Sequence, residues 1–437
     1  MSTSWDEGPT GDGVLARRGR WCVLAAAFLG WMFAGVEMSL MVAATRPAIQ
    51  EFLASGSDAA GLARINVIAD EWFSRFLVAF FLGAAGGGVL FGWLGDRVGR
   101  AKAMGWSVVC YSAVTGLSYF SRSPELLWIL RFVACLGVGG MWPNGVALVS
   151  EAWPKVSRPM LAGLIGCAAN VGFLILGWIM LVHPVTRETW RWVLLFGGSP
   201  VVLGLWMLWA VPESSAWKAT RLGRGADRVT SPVREVFAGK YLGRTLLGIA
   251  LGTIPLLGGW ASGQRLIPWA GQVGEALNLP SLKATTQIVQ SLGAVVGSLA
   301  GGWVASGMGC RWSYFAMSAG SLGLSAWVFT ATRPGEPLFF VLTFLLGVVG
   351  VSFFGWLPYY LPALFPTSIR ATGTGVAYNF GRIFSALAVL ATATLSAHFG
   401  GDIARMGLAT SFVYALGLVL VWWVPGKAAE SSGTSTA

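Results

Sequence analysis

Residues 92 to 100 read Gly-Trp-Leu-Gly-Asp-Arg-Val-Gly-Arg, a short charged segment set between two long uncharged runs. The uncharged run on its amino-terminal side covers 76–94, and the run on its carboxyl-terminal side covers 103–120. An apolar run of about 20 residues is long enough to cross a membrane as an α-helix. The charged segment is therefore predicted to be a tight connection between two membrane-spanning helices.

The composition places the whole chain in a membrane. Of its 437 residues, 55% are hydrophobic and only 11% are charged, whereas a soluble protein carries about a quarter charged residues. The first apolar run continues to about residue 43, which is too long for a cleaved signal, and it is predicted to be a retained helix. We expect a multi-pass protein of a cell (inner) membrane.

Several functional classes are excluded by the distribution of charged and metal-binding residues. The net charge of +11 does not indicate a nucleic-acid partner, because the Lys and Arg residues are spread over short loops. The five Cys form no CxxC pair, and His183 and His398 lie far apart, so we predict no metal site and no cofactor. No nucleophile, base and metal ligand converge in the apolar runs, so an enzyme is not expected.

Twelve uncharged or nearly uncharged stretches of about 20 residues predict twelve transmembrane helices and an all-α membrane protein. They centre near Met32, Gly83, Ser112, Gly139, Gly172, Leu203, Leu251, Gly293, Gly320, Gly347, Ala386 and Val413. The predicted organisation is a tail at 1–20, a six-helix bundle at 21–211, a linker at 212–242, a second six-helix bundle at 243–424 and a tail at 425–437. Most Lys and Arg lie in loops on the side of both termini, which predicts cytoplasmic termini.

The two bundles are predicted to be pseudo-repeats, because motifs of the first half recur in the second. The recurring residues are Trp153-Pro154, Arg158 and Gly163, found again as Phe365-Pro366, Arg370 and Gly375 at one offset of 212 positions. The charged segment recurs at 302–311 with an offset of 210, but Ser306 replaces its Asp and Cys310 its last Arg. Parallel six-helix repeats with a polar centre describe a rocking transporter whose substrate site lies near the bilayer midplane.

The charged segment at 92–100 has the chemistry of a gate. Three glycines are expected to allow close approach of helices and a tight turn: Gly92, Gly95 and Gly99. Asp96 is expected to cap the start of the following helix and to pair with a basic residue across the gate. Arg97, Arg100 and Lys102 are expected to face the cytoplasm. Because the second copy has lost most of its charge, the electrostatics of the gate are expected in the first half.

Glu37 lies inside the first predicted helix, where an ionised carboxylate is costly unless it is paired, hydrated or protonated. Counted at about 1.5 Å per residue from opposite sides of the membrane, Glu37 and Arg131 of the fourth helix reach similar depths. An acid beside a guanidinium can release its proton when the ion pair forms and bind one when the pair breaks. Glu37 and Arg131 are predicted to couple proton binding to transport. The alternative is a static ion pair that fixes helix packing.

Arg382 lies about eleven residues into the eleventh predicted helix and hence close to the middle of the membrane. No acidic residue lies in any predicted helix of the second half, so a carboxylate of the substrate is a candidate partner for this charge. The alternative is an arginine bonded to helix-end carbonyls or to the inner gate. Further polar residues in or near the spans are candidates for hydrogen bonds to substrate or, more commonly, between helices. They are Asn144, Asn170, Gln287, Gln290, Tyr359, Tyr360 and Asn379.

The order Gly-x-x-x-Asp-Arg-x-Gly-Arg at 92–100 resembles the signature loop of the major facilitator superfamily of secondary transporters. The resemblance covers nearly the whole chain and includes Arg131 with the glycine-rich stretch at 137–140, Pro212-Glu213-Ser214, and 370–382. It implies the major facilitator fold.

Within the superfamily, the segments at 151–154 and 212–218 look most like proton symporters for small organic acids, such as the sialate, lactate and aromatic-acid branches. Sugar porters are similar at Glu37 and Arg131, where they also place an acid and an arginine. The chain departs from these families in having Glu where the first-helix acid is usually Asp, and in its neutral second gate loop.

Residues and resemblance together predict a secondary active transporter that takes up a small organic anion with protons by alternating access. It is expected to be monomeric, with the lipid bilayer, the small-molecule substrate and protons as its partners. A sugar or polyol proton symporter and a drug or metabolite exporter are the alternatives.

Overall fold

The computed structural model describes residues 15, 17–53, 59–153, 158–183, 185–223, 232–279, 281–391, 398–399 and 402–424. In this part of the chain, long α-helices are joined by short turns. The membrane helices are numbered 1 to 12 in chain order. The predicted tail at 425–437 and residues 1–14 of the predicted amino-terminal tail lie outside the described residues.

The first half of the chain contributes six membrane helices. They are helix 1 (Arg17–Leu53), helix 2 (Ala59–Val98), helix 3 (Arg100–Leu117), helix 4 (Pro124–Ala152), helix 5 (Arg158–Val182) and helix 6, which consists of Arg191–Gly198 and Val201–Ala210. Pro200 stands at the interruption of helix 6, where a proline cannot supply a backbone N–H. Two short helices, Ser215–Gly223 and Pro232–Val236, occupy described parts of the predicted linker.

The second half repeats this arrangement. It contains helix 7 (Gly239–Ala261), helix 8 (Leu282–Met308), helix 9 (Cys310–Ala331), helix 10 (Pro337–Tyr360), helix 11 (Arg370–Asn379 and Gly381–Leu390) and helix 12 (Ile403–Ser411 and Val413–Leu420). A further short helix, Leu266–Ala276, lies in the connection between helices 7 and 8. The twelve helices stand at the twelve predicted positions.

Nine helical stretches of the described chain are long and apolar enough to cross a membrane by themselves. Helices 3, 9 and 11 are not among them. Helix 3 begins with Arg100 and Lys102, and helix 11 is divided at Phe380. These helices are packed against other helices on one side, and polar groups on a packed side are shielded from lipid.

The most extensive contacts between the two halves are made by two pairs of helices. Helix 2 packs on helix 11, where the backbone of Gly88 lies against Gly375, and helix 5 packs on helix 8. At the second contact, a Cβ atom on Gly163 would lie 2.5 Å from the carbonyl oxygen of Leu299. Lipid tails are as apolar as Leu, so close contacts between small residues stabilise such helix pairs.

The predicted duplication is visible in the local geometry of both halves. Gly99 and Gly309 precede helices 3 and 9, and both have positive φ, 123° and 82°. In each half a buried tyrosine hydroxyl donates to a backbone carbonyl in the first helix: Tyr111 to Gly30 at 3.1 Å and Tyr314 to Leu251 at 2.8 Å. The chain is therefore an all-α membrane protein of two six-helix pseudo-repeats.

Candidate functional site

Glu37 and Arg131 form a buried ion pair inside the first half. The side chain of Glu37 is 1% exposed and that of Arg131 is 2% exposed, and Arg131 Nη1 donates to Glu37 Oε1. The hydroxyl of Thr115 on helix 3 donates to the same oxygen at 2.8 Å. Glu37 Oε2 has no hydrogen-bond partner among the described residues. The predicted proximity of the two residues is confirmed, and the free carboxylate oxygen is a position where a proton can bind.

Arg382 of helix 11 is buried without an acidic partner. It is 2% exposed, and no carboxylate within the described ranges lies at ion-pair distance from it. Its Cζ atom lies 4.9 Å from the ring centre of Phe80 and 5.5 Å from that of Tyr378. Nε and Nη1 have no hydrogen-bond partner among the described residues. A buried guanidinium with donors left over can bind an anion.

Four of the polar candidates hold helices together. Asn144 Nδ2 donates to the carbonyls of Phe91 and Gly140, both at 2.9 Å. Asn379 Nδ2 donates to Gly139 at 3.2 Å and to Gly375 at 3.1 Å. Gln290 donates to the Gly263 carbonyl at 2.9 Å, and Asn170 donates to Ser298 Oγ at 3.1 Å, which joins helix 5 to helix 8. These contacts favour the packing role for Asn144, Asn379 and Gln290.

Three polar candidates remain. Gln287 is half-buried on helix 8. The ring of Tyr360 packs against that of Trp356 with ring centres 4.6 Å apart. Tyr359 lines a cavity between the two halves together with Ser150 and Arg370. Of these three candidates, Tyr359 is therefore placed at the interface of the halves.

Two aromatic residues near Arg382 were not identified from sequence. Phe80 of helix 2 contacts both Arg382 and Arg131, and Tyr378 of helix 11 stacks on Trp142 of helix 4 with ring centres 4.0 Å apart. Tyr378 stands one helical turn before Arg382, and this spacing was a usable signal. Phe80 had no such signal, because aromatic residues are frequent in every span of the chain.

Asp96 caps a helix of the other half. Its carboxylate accepts hydrogen bonds from the backbone N–H of Ala371 at 3.2 Å and of Thr372 at 2.8 Å, in the first turn of helix 11. The prediction that it caps the following helix was wrong, because the start of helix 3 is occupied by another acid. Among the described residues Asp96 pairs with Arg100 of the same loop, with Arg100 Nη2 3.0 Å from Asp96 Oδ1. The predicted ion pair of Asp96 with a basic residue across the gate is therefore wrong. A carboxylate at a helix amino terminus is stabilised by the unpaired N–H groups and the helix dipole.

Arg100 is fully buried, so the prediction that it faces the cytoplasm was wrong. Its guanidinium lies between Asp96 and Glu151, with Nε 3.4 Å from Glu151 Oε2, and Nη2 donates to the Thr367 carbonyl in the second half. Two buried carboxylates hold the guanidinium away from water. The other oxygen of Glu151 pairs with Arg370 at 3.1 Å. This pair is the ion pair across the gate. Arg97 and Lys102 are exposed, and the side of the membrane that they face stays a prediction.

Glu213 holds the start of helix 3. Its carboxylate accepts from the backbone N–H of Arg100 at 2.9 Å and of Ala101 at 3.1 Å. Burial raises the pKa of this carboxyl, while the N–H donors and Arg100 act in the opposite direction. Gly99 is required beside it, because its φ is 123° and a Cβ atom there would collide with Glu213.

The other gate glycines allow close approach, as predicted. A Cβ atom on Gly92 would lie 2.9 Å from the carbonyl oxygen of Ala371, and one on Gly95 would overlap Asn144. From the linker, Trp217 Nε1 donates to the Asp96 carbonyl at 2.9 Å. The gate loop, the linker and the start of helix 11 therefore form one closed contact between the halves.

Two six-helix bundles, a buried ion pair, a buried arginine without an acidic partner in the described chain, and a closed gate between the halves define a secondary transporter of small molecules. A family model described as Major Facilitator Superfamily matches residues 20–289. The chain belongs to the major facilitator superfamily. It is a transporter and not an enzyme, as the sequence predicted.

Similar proteins of known description are bacterial transporters. A sialic acid transporter of Escherichia coli (strain K12) is 26% identical over 364 residues, which cover 80% of this chain and 84% of the relative. A probable 4-methylmuconolactone transporter of Cupriavidus pinatubonensis is 29% identical over 371 residues, or 83% of each chain. A gentisate transporter of Corynebacterium glutamicum is 27% identical and covers 88% of this chain and 82% of its own length.

Solved structures show the same fold. The proton:xylose symporter XylE bound to 6-bromo-6-deoxy-D-glucose has a TM-score of 0.75 at 16% identity, with 94% of this chain and 96% of that chain covered. The human organic anion transporter MFSD10 has a TM-score of 0.65 at 16% identity, with 92% of this chain and 99% of that chain covered. At this identity the likeness concerns the fold alone.

Proposed function

We propose that this protein takes up a small organic anion together with protons. The observation that carries the proposal is the state of Arg382: a buried guanidinium with two unpaired donor atoms and no carboxylate within reach in the described chain. A permanent positive charge inside the membrane is stabilised by an anion, and a carboxylate matches guanidinium geometry. Relatives are described as transporters of sialic acid, muconate, gentisate and niacin, each of which is a small organic acid.

Proton coupling is assigned to Glu37 and Arg131. Their side chains are 1% and 2% exposed, and one oxygen of Glu37 has no hydrogen-bond partner among the described residues. Breaking the pair leaves a buried carboxylate that is more stable when protonated. The pair is therefore suited to bind a proton in one conformation and to release it in another.

The proposal also gives roles to Asn170, to the gate loop and to the two bundles. Asn170, which joins the halves through Ser298, is the polar candidate best placed to sense a substrate between them. The gate loop is assigned to the cytoplasmic side together with both termini, in a bacterial inner membrane. The closed gate loop then belongs to a conformation that blocks the cytoplasmic side. We further propose that the transporter acts as a monomer. The domain bounds 21–211 and 243–424 are the two rocking units.

Uptake by proteoliposomes with an imposed pH gradient tests the proposal. The panel contains sialic acid, cis,cis-muconate, gentisate and niacin, with xylose as the sugar. We expect an acid to accumulate when the outside is acidic, and Glu37→Gln to abolish accumulation while sparing counterflow exchange. Glu51→Gln is the matched control, because Glu51 also pairs with an arginine, Arg191, but its side chain is 34% exposed. Accumulation of xylose alone, or proton-driven export, would contradict the proposal and favour one of the alternatives.

A further inference from the structure

We infer that Phe80 is a positioning residue that couples the proton site to the anion site, an inference that rests on the proposed function. Phe80 is 2% exposed on helix 2. Its ring centre lies 5.7 Å from Cζ of Arg131 and 4.9 Å from Cζ of Arg382. One aromatic ring therefore contacts the guanidinium of the ion pair in the first half and the unpaired guanidinium in the second.

The shared ring places the charges of the two sites in one cluster. From the two ring distances, the Cζ atoms of the arginines are no more than about 11 Å apart. Charges at this separation inside a protein interact much more strongly than in water, because the surroundings polarise less.

Phe80 is itself held in place by other rings. Its ring centre lies 5.0 Å from that of Phe81 and 5.7 Å from that of Trp260 on helix 7. An aromatic face attracts a cation, and the attraction is larger in a site without water. The ring thus keeps the two guanidinium groups at a fixed separation and occupies space that water would otherwise fill.

The charge balance links the two sites. With Glu37 ionised, its charge compensates Arg131, and Arg382 is the remaining cation. When Glu37 binds a proton, Arg131 is uncompensated and faces Arg382 as a second cation. A carboxylate that binds Arg382 then restores a net charge of one, the same as in the empty, deprotonated site. The two states that must reorient in symport, empty and fully loaded, therefore carry equal charge.

The expected size of this coupling follows from the distance. Two unit charges about 11 Å apart at an effective dielectric constant of about 20 change each other's binding constants about tenfold. Protonation of Glu37 should thus raise anion affinity about tenfold, and the bound anion should raise proton affinity by the same factor, because coupling is reciprocal.

The groups that face Glu37 leave Arg131 as its only charged neighbour in the described chain. Helix 4 supplies Arg131, and helix 3 supplies the hydroxyl of Thr115. Helix 2 contacts the pair through Phe80, and helix 5 approaches helix 1 with Gly172, which lies against Met32 and Val36. Helix 6 approaches with Gly197, which has no side chain to titrate. Protonation of this cluster is therefore assigned to Glu37.

The first test needs no substrate. In purified protein, protonation of Glu37 is followed by its carboxyl infrared absorption, with Glu37→Gln as the blank. We expect Arg382→Gln to strengthen proton binding by Glu37 about tenfold. In the background of Phe80→Leu this effect should fall to about twofold or less. Phe76→Leu is the matched control and should leave it at tenfold, because Phe76 is also buried on helix 2 but its ring contacts Trp72 and, among the described residues, neither guanidinium of this cluster.

The second test uses niacin as the probe and measures its dissociation constant at alkaline and acidic pH. The constant should fall about tenfold on acidification, and Phe80→Leu should abolish most of this change, whereas Phe80→Tyr, which keeps the ring, should restore it. Phe80→Met replaces Phe80→Leu if the latter does not fold.

The two proposals fail in different ways. An unchanged proton affinity of Glu37 in Arg382→Gln, or a full tenfold coupling in Phe80→Leu, overturns the role of Phe80 whatever the substrate is. If the substrate-free coupling is present but no acid of the panel is transported, the proposed function fails while the coupling of the two sites stands.

Discussion

The gate loop at 92–100 and its copy at 302–311 both turn at a glycine of positive φ, but they differ in their charged side chains and in the contacts of those side chains. In the first loop Asp96 accepts two N–H groups of helix 11, and Arg100 lies buried between Asp96 and Glu151. In the copy, Ser306 donates among the described residues only to the Trp303 carbonyl of its own helix, and Arg311 donates to the Val424 carbonyl of its own half. The polar side chains of the first loop contact the other half, whereas these polar side chains of the copy bond within their own half.

The surfaces that receive the two loops differ in the same way. At the offset of 212, the N–H groups of Ala371 and Thr372 correspond to Pro159 and Met160, and proline has no N–H. Yet Gly302 still approaches Pro159 as Gly92 approaches Ala371. Both loops therefore approach a helix of the other half closely, while the copy lacks the capping acid and one of the two N–H donors. Packing of the halves thus uses both loops, whereas the charged contacts between the halves use only the loop at 92–100.

The largest expected effect comes from removing the buried cation of the first loop. Arg100→Ala leaves Asp96 and Glu151 buried without their shared partner, which costs about 3 kcal/mol or more. Arg311→Ala in the copy loses only bonds to carbonyls and should cost about 1 kcal/mol. Thermal unfolding of the purified variants measures the difference. Equal losses of thermal stability in the two variants would show that the copy carries as much of the gate as the first loop.

A smaller effect is expected from removing only the charge of the capping acid. Asp96→Asn keeps the shape but weakens the interaction with the start of helix 11 by about 1 kcal/mol, which raises the ratio of open to closed gates about fivefold. Distances between spin labels at Lys102 and Trp312, both exposed, report the opening.

Ser306→Ala is the matched control for this substitution, since Ser306 makes no contact across the halves among the described residues. Its label distances should equal those of the unsubstituted protein. A distance distribution in Asp96→Asn that matches this control would mean that the capping charge does not hold the gate.

The smallest effect is expected from restoring the acid in the copy. Ser306→Asp meets Pro159 in place of a donor and Cys310 in place of the arginine, so the stability should change by less than about 0.5 kcal/mol. Thermal unfolding of Ser306→Asp and of the unsubstituted protein measures this change in stability. A clear gain in stability would mean that helix 5 offers other donors and that the asymmetry depends on position 306 alone.

Much of the fold could be predicted because lipid imposes simple rules. Helix number follows from the lengths of apolar runs, and the duplication follows from motifs at a constant offset. The contact of Glu37 with Arg131 could also be predicted, since depth in a bilayer can be counted from the helix ends. The proposed roles of both residues remain predictions.

The gate was predicted only in part. Arg100 was expected to be exposed but is buried. Asp96 was assigned to the right loop but to the wrong partners, because an acid beside a helix start in sequence is equally able to cap a helix 275 positions away. Glu213 takes the local capping position instead, at a separation of 113 residues. Whether Asp96 or Glu213 caps helix 3 cannot be predicted from the sequence around either residue, because both are acids able to accept its N–H groups.

The sequence alone determined that this chain is a twelve-helix, two-repeat membrane protein of the major facilitator superfamily with charges at mid-membrane depth. The helix number, the repeat and the depth of the charges depend on local composition and on spacing along the chain, and the superfamily was indicated by the resemblance of the motif at 92–100. Only the tertiary structure decided which charges share a neighbour: that Asp96 caps helix 11, that Arg100 is buried, and that one phenylalanine contacts Arg131 and Arg382. Such contacts depend on how helices are rotated and packed against each other, and this is set by the whole bundle at once.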